Sequence, residues 1–185
     1  MFEQLTQLVQ QYGGSAVTNN TAVPNEHNEA VINETSTSIF AGLQKIASEG
    51  GGEQLASLFN GKSPIDSSNP VVQQITQQLS GSLGQKFGLS SETSSGVAAS
   101  MIPQILSSLV NKAKDPNDSS FQITDIISSI SGNSGQASGI METINKYGMQ
   151  FGLDQNNDGK VDAADTVALT KSGGLSGLLG KLFGK

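Results

Sequence analysis

GLSSETSSGVAASMIPQILSSLVNKAKDP, residues 88–116, decides the fold. Val97, Ile102, Ile105, Leu109 and Val110 fall on one side of a helix, which marks a long amphipathic helix with one buried face. The segment GLSSE opens it and DPND ends it. Pro103 lies inside and has no backbone N–H to give, so the helix is expected to kink there.

The same pattern continues outward in both directions. Upstream, Asn69 is suited to a helix N-cap and Pro70 to the first helical position, and Val72, Ile75, Leu79 and Phe87 form the next stripe. The stretch GKSPIDSSNP, residues 61–70, links this helix to an earlier set. In that set a long helix begins at Asn25, buries Val31, Ile39, Leu43 and Ile46, and ends at SEGGG, before a short helix around Leu55, Leu58 and Phe59. At the start of the chain Phe2, Leu5, Leu8, Val9 and Tyr12 make a first helix, which Gly13 and Gly14 are expected to stop. SAVTNNTAVPNE then reads as a loop. Alternation of period two with β-branched and aromatic residues is missing, so the fold class expected is all-α.

The two sets read as copies. Glu26 and Glu92, Val31 and Val97, Ile39 and Ile105, Leu43 and Leu109, and Ala47 and Ala113 are each separated by the same 66 positions. The short helices QLASLFNG and DIISSISG match after a small insertion, Gly61 and Gly132 being 71 apart. An internal repeat of residues 1–61 and 70–132 implies two helical units whose apolar faces cover one another.

FGLSSE, MIPQILSSLVNKAKDP and ITDIISSISG, together with the glycine-punctuated, leucine-rich helix ends, resemble the YidB-like bacterial family of unknown function. The resemblance spans residues 1–133. It implies an all-helical domain and carries over no activity and no site residue.

Composition restricts function. Lys and Arg number 10 against 16 Asp and Glu, a net charge of -6, which leaves no basic face for nucleic acid. There is no cysteine and a single histidine, so disulfides, thiolate nucleophiles and cysteine zinc sites are excluded. His27, between Glu26 and Asn28 at a helix start, reads as a solvated residue. No GxSxG elbow, phosphate loop or HExxH motif occurs, and a non-enzymatic role is expected. MFEQLTQLVQQYGG carries Glu3, no basic lead and no continuous apolar run, and no stretch reaches the roughly 20 apolar residues of a membrane span. The expectation is a soluble cytoplasmic protein, with export lacking an N-terminal signal as the alternative.

The chemistry concentrates near the end of the chain, in DQNNDGKVDAAD, residues 154–165. A calcium loop of twelve residues takes oxygens from positions 1, 3, 5, 7, 9 and 12 and turns sharply at a glycine in position 6. Those positions hold Asp154, Asn156, Asp158, Lys160, Asp162 and Asp165, and the turn falls on Gly159. Lys160 contributes its backbone carbonyl, and Asp162 acts through a water. Val161 at position 8 is the inward aliphatic residue. Ile140, Met141, Ile144, Tyr147 and Phe151 mark an entering helix, and residues 163–170 a leaving one. The segment resembles an EF-hand. Its last ligand is the shorter Asp165 in place of glutamate, a feature shared with dockerin repeats, which puts affinity and selectivity over magnesium in question. The weaker outline NDSSFQITD, residues 117–125, has Lys114 and Pro116 at ligand positions and is expected to bind nothing.

The chain ends SGGLSGLLGKLFGK, with Leu175, Leu178, Leu179, Leu182 and Phe183 on one helical face. It echoes LASLFNGK at residues 55–62. The sequence therefore predicts a duplicated helical domain over 1–133, an EF-hand-like helix-loop-helix over 134–172 and an amphipathic helical tail over 173–185. The function expected is calcium-dependent protein interaction or self-assembly, with a homo-oligomer or another protein as partner. The alternative is a peripheral protein whose tail lies on a membrane surface.

Overall fold

A computed structural model describes residues 2–59 and 61–115, together with Phe121, Ile126, Ser129 and Ile130. The chain divides into two units, Met1–Asn133 and Ser134–Lys185, and all described residues belong to the first. They are mostly helical, with no strand among them. In order these are α1 (Phe2–Thr18), a 3-10 turn (Asn25–His27), α2 (Asn28–Ser48), α3 (Gly52–Phe59), α4 (Pro70–Phe87) and α5 (Ser91–Lys114).

The four long helices pack in a ring. α1 lies against α2 and α5, and α4 lies against the same two, so α1 and α4 sit on one diagonal and α2 and α5 on the other. The apolar stripes meet inside: Leu5, Val9 and Val17 of α1; Val31, Ile39 and Leu43 of α2; Ile75, Leu79 and Leu83 of α4; and Val97, Ile102, Ile105 and Leu109 of α5 are all buried. Each such side chain contributes about 1.5–3 kcal/mol of apolar transfer as an upper bound, and this burial holds the helices together. α3 seats Leu55, Leu58 and Phe59 against α2 and α5. Phe121, Ile126 and Ile130 are buried as well, and Gln44 Nε2 donates to the Ser129 carbonyl at 3.1 Å.

Caps set the boundaries where the sequence places them. Asn69 Oδ1 accepts from Val71 N at 2.9 Å, with Pro70 beginning α4, and Ser90 Oγ accepts from Thr93 N at 3.1 Å at the start of α5. Between them α4 closes on Gly88, whose φ of +64° is the left-handed cap that glycine adopts without a Cβ clash.

One boundary differs from expectation. The Gly13-Gly14 pair does not stop α1, which runs on to Thr18 and takes Ser15–Thr18 out of the expected loop. The reason is tertiary. A Cβ on Gly13 would stand 2.5 Å from Met101 Cε and 3.2 Å from Ile105 Cδ1, so glycine lets the ends of these two side chains pack directly on α1, and the further turn buries Val17. That packing outweighs the roughly 1 kcal/mol that glycine costs inside a helix. α5 runs through Pro103 as one helix and ends at Lys114, where the sequence places its stop in DPND.

Candidate functional site

The six expected calcium ligands, Asp154, Asn156, Asp158, Lys160, Asp162 and Asp165, lie outside the described residues, as do the entering helix and the tail. Among the described residues no three His, Asp or Glu side chains converge as a metal site. Among the described residues a charged corner and two corresponding grooves stand out.

The corner joins the start of α2 to the end of α4. Glu34 is buried, the charged member of a set of buried polar residues on α2 that also holds Thr35, Ser36 and Ser38, and Lys86 Nζ reaches its Oε2 at 2.6 Å. The lysine side chain is 56% exposed and the glutamate 10%, so the pair has one wet end and one dry end. His27 is not simply solvated. Its ring is half-buried against Phe87, 5.6 Å between centroids, with Glu26 Oε1 3.9 Å from Nε2. Phe87, expected on the core stripe, instead covers this histidine.

The loop before α4 is held by Asp66, whose Oδ1 accepts from the Ser68 hydroxyl at 2.6 Å and from the Ser68 amide at 2.8 Å. These bonds, the hydroxyl first, hold the Asp66 carboxyl below the usual aspartate range. Asn69 Nδ2 donates to the Pro64 carbonyl at 2.8 Å, tying the same loop to the helix cap.

The grooves run along the outer seams of the two helix pairs. Between α1 and α2 a cleft of about 310 Å³ is lined by Thr6, Gln10, Asn28, Glu29, Ile32 and Asn33. Between α4 and α5 a groove of about 160 Å³ lies over Val72, Ala99 and Pro103, with Ser67, Gln73, Thr76 and Gln77 at its edges. A shift of 66 carries Thr6, Gln10 and Asn33 onto Val72, Thr76 and Ala99, so the two grooves occupy corresponding places and differ in polarity. Sequence reasoning missed this, because Val72, Ala99 and Pro103 come together only across two helices.

No family model, curated protein or solved structure matches the chain.

Proposed function

We propose that the chain is a non-catalytic calcium-binding protein that acts through protein interaction or self-assembly, its loop over residues 154–165 ordering the C-terminal region. One observation carries this reading: Asp154, Asn156, Asp158, Lys160, Asp162 and Asp165 match the liganding positions of a twelve-residue calcium loop one by one, around Gly159. The donors are carboxylates, an amide and a backbone carbonyl, which suit a hard cation wanting six to eight oxygens. Bound calcium would supply the central charge that draws these oxygens together, and with them the segments before and after the loop.

The first unit is, on this reading, a duplicated scaffold of the YidB-like kind. Support comes from burial. At the 66-position shift Leu5 and Val71, Val9 and Ile75, Gly13 and Leu79, Val17 and Leu83 are buried in pairs. So are Val31 and Val97, Ile32 and Ala98, Thr35 and Met101, Ile39 and Ile105, and Leu43 and Leu109. At the shift of 71, Leu55 and Phe59 pair with Ile126 and Ile130. The ring has the matching exchange, α1 on α5 and α4 on α2. Two copies that each leave one apolar face bare would cover one another in this way.

Light scattering on a sizing column, in calcium and in chelator, tests the role. A change of mass or elution in the wild type that Asp154→Ala removes supports calcium-controlled assembly. Identical behaviour in all four runs opposes it.

A second reading rests on the tail, where Leu175, Leu178, Leu179, Leu182 and Phe183 share one face beside Lys181 and Lys185. Such a face suits a membrane surface. No helix among the described residues is long and apolar enough to cross a membrane. Liposome co-sedimentation lost on deleting residues 174–185 would favour this reading, and absence of co-sedimentation would remove it.

A further inference from the structure

We draw no further inference here: the strongest candidate, the polar cleft between α1 and α2 lined in part by Asn28, whose buried Oδ1 has no hydrogen-bond partner among the described residues, carries nothing because that oxygen is enclosed and nothing in the structure turns it toward the cleft or shows what would fill it.

Discussion

Thr35 Oγ1 stands 4.0 Å from Met101 Sδ, and the two residues are 66 positions apart. They belong to α2 and α5, which face each other across the ring, so the residues related by the repeat shift touch at its centre. Around them the pairing is complementary in size. Gly13 of α1 meets Met101, and the shift-related positions are Leu79 of α4 and Thr35. The touching Gly13 and Met101 thus correspond by the shift to Leu79 and Thr35, both buried.

This exchange predicts a rescue. Gly13→Leu drives a side chain into Met101 and Ile105 and should lower unfolding free energy by about 2 kcal/mol, as overpacking does. Adding Met101→Thr rebuilds the leucine–threonine pair, and a double-mutant cycle by urea unfolding should return a favourable coupling of about 1–3 kcal/mol. Simple additivity of the two costs would show that the halves are not equivalent at this contact.

At the charged corner, Lys86→Met leaves the Glu34 carboxylate in its buried position without the ammonium. The loss expected is about 1–2 kcal/mol at neutral pH, moderated because the lysine end is wet. The double variant Glu34→Gln, Lys86→Met should recover part of it, and chemical denaturation of both proteins checks the order.

Asn69→Ala should cost about 1–2 kcal/mol, since the side chain both caps α4 and holds the Pro64 carbonyl. A substitution at Asn25, whose Oδ1 accepts from Asn28 Nδ2 at 3.3 Å in an exposed pair and caps no helix amide, should cost less, and thermal unfolding of the two variants should separate them.

Asp66 fixes a pH dependence. Its carboxyl is held low by the Ser68 hydroxyl and then the Ser68 amide, so the charged form is favoured in the folded protein. The resulting stabilisation is fully present above the ordinary aspartate value and is lost as pH falls through the lower folded value. A carboxyl-carbon NMR titration should place the Asp66 midpoint below the ordinary range, and Ser68→Ala should raise it. An unchanged midpoint in that variant would contradict the assigned cause.

Much of the helical layout was legible because buried helix faces print a period into the sequence: Val97 to Val110 and Val31 to Ile46 announce α5 and α2, and Asn69-Pro70 announces the start of α4. The length of α1 was not. Gly13-Gly14 reads locally as a stop, and the residues that decide otherwise, Met101 and Ile105, lie far along the chain. The burial of Glu34 was not legible either, since its partner Lys86 is 52 positions away and no spacing identifies it. The α4–α5 groove depends on Val72 meeting Pro103 across two helices, so neither residue signals it alone. The proposed calcium loop is the opposite case, a local motif read entirely from residues 154–165.

The central claim is metal binding by that loop, and calorimetric titration of calcium into chelator-stripped full-length protein addresses it most directly. The account predicts one saturable site in the wild type and its loss in both Asp154→Ala and Asp158→Ala. No binding in the millimolar range, the weak end for loops of this type, or titrations unaltered by either substitution would contradict it.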